Sequence, residues 1–587
     1  KEKDAPIKRK PQGQVPQQAS QEELLSTPSQ RGPIVTRTEM QKAAKQFKDR
    51  PARVYEAGQE PGTPDYGRIG PIGPQEVEKA QQICQQYQDG KRQLEERIVT
   101  NEQWWRQRQW DLATDGTVNK INAEDPRPIS AWMFNSLANK HADIMDNYPT
   151  SAVLPREQND EADAKMITQI LPVIMERNGY KRKYSKGQWY KLKHGTNCQC
   201  VGWDSSIDNG IGDIDVENVD LLNIWWEPGI TDIEKSQNVF TANYVDTDDL
   251  IAQYPYLADK AGGTGDFTIK QYIEDDTVDN SGKTTVFDWY YKRHVDSREI
   301  LCFCKFACGQ VIFASENVAE YAERGLYDHH KYPFVFDTLF PMEGNLCGFG
   351  YIDIMKDPQM YIDKLNQIIM KNALLASKPR YFAKEGAGIN EDEFTDMSVD
   401  IVHTTGSIDN TKIQPIQVQS VPPFIVQHQQ DRIDELKETS GNRDFSQGST
   451  SSGVTAASAI AALQEAGSKL SRDIIANSYM SFTDISYISL ELIRQFYDES
   501  RCFRITGEGT RGPQYEQYDN TNIKDWNQEK IALDATGQDS SFIGDDVRRV
   551  PIFDIKIVAE KENPFNRASQ NETAKELFQL GAFNPQM

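Results

Sequence analysis

Long apolar runs are missing from this sequence. Nowhere do its 587 residues approach the roughly 18 to 20 uninterrupted apolar positions that a membrane-spanning helix needs. No basic head followed by an apolar core opens the chain as a secretory signal would, so synthesis in the cytosol is expected. Cysteine is scarce: Cys84, Cys198, Cys200, Cys302, Cys304, Cys308, Cys347 and Cys502 are too thinly spread for a disulfide framework and read as reduced thiols. Positive charge is in deficit, with 65 Lys and Arg against 88 Asp and Glu for a net −23. That balance excludes a protein that clings to phosphate over its whole surface, and any DNA contact must be local or weak.

Catalytic signatures are missing too. The seven histidines form no His-Glu-x-x-His pairing, and there is no Gly-x-Ser-x-Gly elbow. Gly448-Ser-Thr-Ser-Ser-Gly453 has the glycines of a phosphate-binding loop, but Val454-Thr455 stands where Lys and Ser or Thr are required. Cys302, Cys304 and Cys308, with Cys347 or His330, offer zinc-type ligands at a poor spacing. On an alternating strand Cys302 and Cys304 simply share a face, and packing is the preferred reading. The expectation is a protein with no enzymatic activity, no metal and no cofactor.

What the sequence does have is order along its length. Residues 1–74 are rich in Gln, Pro, Gly and Lys and form an arm, not a domain. Residues 1–50 hold eleven cations against six carboxylates, which suits either a solvated tail or a docking arm. From Pro74 the pattern turns helical: Val77, Ala80, Cys84, Tyr87, Leu94 and Ile98 recur at spacings of three and four. The pattern breaks only at Lys91 beside Gly90, so one helix or a pair is expected up to about Asp111. Further helical stretches cover 129–147 and 161–192. A β-hairpin is expected from Cys198–Trp203 and Asp213–Glu217 around Asn209-Gly210, a dipeptide that tolerates positive φ. Strands over 286–313, with Phe287, Trp289 and Tyr291 alternating, complete a mixed α+β domain to about residue 350. The tryptophans Trp104, Trp105, Trp110, Trp225 and Trp226 suit core or subunit contacts better than a separate partner surface.

Beyond residue 350, Asp357 is a candidate N-cap with Pro358 in the first turn of a helix that Lys378-Pro379 ends. A non-helical insert follows to about Ser420, and Pro423 opens a second helix that closes near Ser440-Gly441. Asn442 to Gly453 is small and polar almost throughout, an exposed loop. After it comes the strongest helical pattern of the chain, with Ile460, Leu463, Leu470, Ile474, Ile485, Ile488, Leu492 and Phe496. Strands around Phe503 and Phe553–Val558 and a short helix over 570–580 finish the sequence. Neither Lys1 nor Met587 reads as a finished end.

This organisation resembles the portal proteins of tailed bacteriophages. The segments that carry the resemblance are Asn101–Asp111, Gly212–Asp220, Trp226–Asp232, Pro333-Phe-Val-Phe-Asp337, Gly348-Phe-Gly-Tyr-Ile-Asp353 and Lys356–Asn366, and the match extends over about 80–565. It implies an α+β portal-type subunit: a wing (75–350), a first stem helix (351–378), a clip (379–420), a second stem helix (421–441), a tunnel loop (442–455), a returning wing (456–565) and the start of a crown (566–587). It also implies a ring of twelve copies at one capsid vertex, with double-stranded DNA passing through its channel. The expected partners are the terminase large subunit, head–tail adaptor and tail proteins, the major capsid protein and a scaffolding protein, with no membrane.

The resemblance assigns DNA-facing roles in the tunnel loop to Arg443, Asp444, Phe445, Gln447, Ser449, Thr450, Ser451 and Ser452. It places Arg432, Glu435, Lys437 and Glu438 on the channel side of the stem. Arg380, Lys384, Glu391, Asp392, Glu393 and Asp396 fall in the clip, facing motor or adaptor. The second stem helix has two cations against four anions and the clip three against seven. Such a lining touches DNA without gripping it. A different viral head–tail adaptor or capsid-associated ring protein is the alternative.

Overall fold

The structure, a computed structural model, describes residues 72–112, 126–207, 210–258, 267–272, 282–295, 298–377, 380–383, 413–416, 421–441, 469–505, 514–538 and 549–560, with a few single residues between them. Helix α1 (Pro74–Trp105) starts where Gly73 is extended and Pro74 fills the first turn, with Glu76 Oε2 accepting from the Gly73 N–H at 3.2 Å. The turn α2 (Gln109–Leu112) and helix α3 (Trp132–Met145) lead to strand β1 (Tyr148–Pro155), then to α4 (Glu161–Arg177) and α5 (Tyr180–His194). Strands β2 (Thr196–Asp204), β3 (Asp213–Val219), β4 (Ile224–Trp226) and β5 (Asn238–Asp246) follow, then α6 (Thr247–Gln253). Next come β6 (Lys283–Val295), β7 (Arg298–Ala307), β8 (Gln310–Ala314), the turn α7 (Ala319–Ala322) and β9 (Phe334–Thr338). Helix α8 (Tyr351–Ser377), strands β10 (Arg380–Ala383) and β11 (Ile413–Ile416) and helix α9 (Pro423–Thr439) form a hairpin-like unit. The chain returns through α10 (Lys469–Phe496), β12 (Arg501–Ile505), β13 (Gln514–Tyr518), α11 (Trp526–Thr536) and β14 (Phe553–Glu560).

An antiparallel sheet ordered β4-β5-β6-β7-β8 and a second ordered β3-β2-β9 build the body. Alternation along β6 sets two cores. Phe287, Trp289 and Tyr291 face one way and pack with Cys302, Cys304, Phe306 and the Val77, Ala80 and Cys84 stripe of α1. Tyr290 faces the other way, into a larger core shared by α3, α4, α5, the three-stranded sheet and α10. Cys302 and Cys304 therefore share a buried face, and burial pushes the Cys302 thiol up to about 12. Cys347 lies in the other core. Among the described residues no group of three or more His, Cys, Asp or Glu is placed to hold a metal. Trp104, Trp110, Trp225 and Trp226 are core residues, while Trp105 is half-buried.

Four details differ from the sequence expectation. Lys91 does not break α1: it is buried on the apolar stripe, its ammonium donating to the Leu221 and Ile224 carbonyls and lying 4.6 Å from the Trp226 ring centre. Neighbouring Gly90 is required because a Cβ there would meet the Pro228 ring at 2.7 Å. The helical pattern over 161–192 is two helices, parted at Gly179 with φ of 59°. Strand β1 has no counterpart in the sequence reading and pairs in register with β14, Tyr148 opposite Glu560 and Pro155 opposite Phe553. Asp357 is not an N-cap, because α8 begins at Tyr351 and runs through Pro358. Tyr351, Ile352 and Met355 extend its apolar stripe into the core, and this packing outweighs the local preference of Pro for a first turn.

Candidate functional site

Helix α8, expected as the first stem helix, is held at its root by three contacts. The C-terminal half of α1 reaches it through Asn101 Nδ2 to Asp353 Oδ1 at 3.1 Å and Arg97 Nη2 to the Gly348 carbonyl at 2.6 Å. The Gly348-Phe-Gly350 segment crosses the end of α5 backbone to backbone. A Cβ on Gly350 would lie 2.7 Å from the Lys193 carbonyl oxygen and 2.8 Å from that of Leu192, and Gly195, at φ 91°, faces Phe349 just as closely. This close approach is the physical reason for the glycines in the Gly348–Asp353 motif.

The third contact is a polar ladder that sequence reasoning missed. Gln359, Asp363, Asn366 and Gln367 lie at helical spacing on one face of α8. The Asp363 carboxylate accepts from Gln109 Nε2 at 3.0 Å, from the Ser130 backbone N–H at 3.0 Å and from Gln359 Nε2 at 3.2 Å. Gln359 also donates to the Ser130 carbonyl at 2.6 Å, and Gln367 to the Pro126 carbonyl at 3.0 Å. Asn366 bonds Ser130 Oγ at 3.0 Å and accepts from Gln429 of α9. Burial pushes the Asp363 carboxyl above its ordinary range, against the pull of these donors. The hub thus fastens α8 and α9 to the 126–131 segment. Its only signal in the sequence is a run of polar residues on an otherwise apolar helix, which reads as a solvated face.

Past Asp363 no side chain of α8 is buried. The 14 residues from Lys364 to Ser377 carry the helix about 20 Å beyond its root, at ~1.5 Å per residue. This outer stretch is not polar. Ile368, Met370, Leu374 and Leu375 on α8, and Phe424 (70% exposed) and Val426 on α9, stand open to solvent, as does Tyr361 (61% exposed) two residues before Asp363. The helix pair is joined at its far end by β10 and β11, paired antiparallel from Arg380 opposite Ile416 to Ala383 opposite Ile413.

Helix α9 is anchored at its other end. Pro423 opens it, Leu436 enters the main core, and Gly441, at φ 66°, closes it. Of the residues expected on the channel side, Arg432 pairs with Glu435 at 2.5 Å, both more than a third exposed. Lys437 turns back onto the Trp132 ring at 5.3 Å, while Glu438 is exposed. The exposed charge of α9 is therefore acidic: Asp431, Asp434, Glu435 and Glu438.

Arg380 opens β10, and its side chain lies outside the described residues. The other residues expected in the clip, Lys384, Glu391, Asp392, Glu393 and Asp396, lie outside them too, as does the whole set expected in a tunnel loop, Arg443, Asp444, Phe445, Gln447, Ser449, Thr450, Ser451 and Ser452. Ile460, Leu463 and the short helix expected over 570–580 are likewise outside. No curated protein matches the chain. A family model described as phage P22-like portal protein matches residues 141–331 and 312–581, more than half of the chain.

Proposed function

Because the chain belongs to the phage P22-like portal protein family, we propose that twelve copies close into a ring whose stem hairpins enclose a channel for duplex DNA. The family is structural rather than catalytic, and a phage portal protein stands at a capsid vertex and serves DNA packaging. The observation that carries the ring reading is the outer stem. Its exposed Ile368, Leu374 and Phe424, together with Tyr361 at the root, form an apolar surface that one copy leaves in water and adjacent copies would bury. A ring needs a heterologous contact in which two different faces of the chain meet, and a helix hairpin apolar on its outer stretch supplies it.

In that ring the acidic face of α9 turns to the channel. Four exposed carboxylates there repel phosphate and release no counterions, so DNA slides without being held. Energy-driven movement is left to a separate motor. The clip (379–420) docks the terminase large subunit and later the head–tail adaptor or tail. The loop 442–455, with Arg443 balanced by Asp444, contacts the passing duplex. The wing meets the major capsid protein and scaffolding protein.

Substitution of Tyr361→Lys together with Leu374→Lys in the full chain tests the reading. Both side chains are exposed in the single copy, so circular dichroism should not change. Sedimentation should show the assembled species weakened by about a hundredfold or more, since two buried apolar contacts are replaced by charges. Unchanged assembly would remove the outer stem from the subunit contact.

A further inference from the structure

A groove of about 640 Å³ on the body has no part in the stem, and its size is that of a binding cleft. Phe334 and Phe336 of β9 form its floor, Tyr487 and Ile488 of α10 one wall, and the 341–346 and 231–234 segments the others. Four carboxylates line it, Asp232, Glu234, Glu343 and Asp484, against one ammonium, Lys331. Lys292 neutralises Glu234 at 2.8 Å. Among the described residues no ion pair engages Asp232, Glu343 or Asp484, and the Lys331 ammonium lies 4.5 Å from the Tyr487 ring centre. Burial and the nearby charge of Asp232 push the Asp484 carboxyl above its ordinary range, against the pull of Lys331. The groove is thus apolar below and acidic at the rim, a surface that repels phosphate and suits a basic peptide with apolar side chains.

The chain itself contains such a peptide. Of the longer segments outside the described residues, 384–412 and 442–468 carry an excess of carboxylates and 561–587 is balanced. Residues 31–50 hold six cations (Arg31, Arg37, Lys42, Lys45, Lys48 and Arg50) against two carboxylates, Glu39 and Asp49. The same stretch carries Ile34, Val35, Met40 and Phe47. From Ile72, where the described chain begins, more than twenty residues separate it from this segment. At ~3.3 Å per residue that length spans any subunit of this size, its own or a neighbour's. We propose that residues 31–50 dock in this groove, the cations against Glu343, Asp484 and Asp232 and the apolar side chains on Phe336, Met342 and Leu346. The docking does not rest on the ring reading, because the groove can be filled within one copy or between two.

A photo-crosslinking residue in place of Phe47, in the full chain, reads the site directly. Mass spectrometry should map its products to 334–346 and 484–488, and mixing isotope-labelled with unlabelled subunits tells a copy's own groove from a neighbour's. Hydrogen exchange supplies the second reading: amides of 31–50 should be protected at 0.1 M salt. That protection should fall by about tenfold in Glu343→Lys with Asp484→Lys, then return when Lys42→Glu and Lys45→Glu are added. Crosslinks that map elsewhere, or protection indifferent to the groove charges, would overturn the proposal. The crosslink on the unmutated groove answers even if the charge-reversed protein does not fold.

Discussion

His329 shows what burial does to a single titratable side chain here. Its ring stacks on Tyr327 with centroids 5.2 Å apart, and Nδ1 accepts from the Lys331 N–H at 3.0 Å. Burial, aided by the charges of His330 and Lys331, pushes its pKa down to about 3, from 6.5 in the unfolded chain. The folded protein keeps the ring neutral while the unfolded chain takes up a proton, so this contribution is complete above pH 6.5 and is lost as pH falls toward 3. Between pH 7 and 5 the loss should be about 1–2 kcal/mol, seen as a falling midpoint in denaturant. His329→Asn retains an acceptor without the charge and should flatten that slope; an unaltered slope would place the acid sensitivity elsewhere. Burial of a polar ring by distant elements leaves no local mark in the sequence. The same holds for Lys91 and Asp363. Each stands in a helix where periodicity assigns a polar residue to solvent, and each is buried because carbonyls or amides far along the chain come to meet it.

At the scale of elements, periodicity located what is local. The helix from Pro74, the β2–β3 hairpin, the Phe287, Trp289 and Tyr291 face of β6 and the Pro423 helix all stand where spacing put them. What it missed depends on partners remote in sequence. Strand β1 contains Pro149 and Pro155, which dilute a strand signal, and its partner β14 lies some four hundred residues away. Likewise α8 starts before Pro358 because a core contact, not a cap, sets its beginning. The crossing of Gly350 over the end of α5 makes a sharp prediction. Gly350→Ala drives a Cβ into two carbonyl oxygens at under 3 Å, and backbone atoms have little room to give. Stability should drop by about 2–3 kcal/mol, measured by chemical unfolding. A loss below about 0.5 kcal/mol, the range of a neutral surface change, would mean that the crossing is looser than the geometry states.

At the scale of the molecule, a net charge of −23 combines with a helix pair whose outer stretch is apolar and whose α9 carries exposed carboxylates; in the proposed ring, copies meet on the first and DNA passes the second. The charge balance is readable from composition, and the two long helices α8 and α9 from pattern. Which residues of α8 are rooted in the body and which are left open depends on the polar hub at Asp363, whose partners lie far along the chain. The central claim, that open halves from several copies close around a channel, is tested most directly by imaging particles of the purified full chain at high concentration. Class averages should show closed rings of twelve with the stem hairpins packed side by side and a central hole wide enough for a duplex. Single copies only, or rings whose centre is filled, would contradict it.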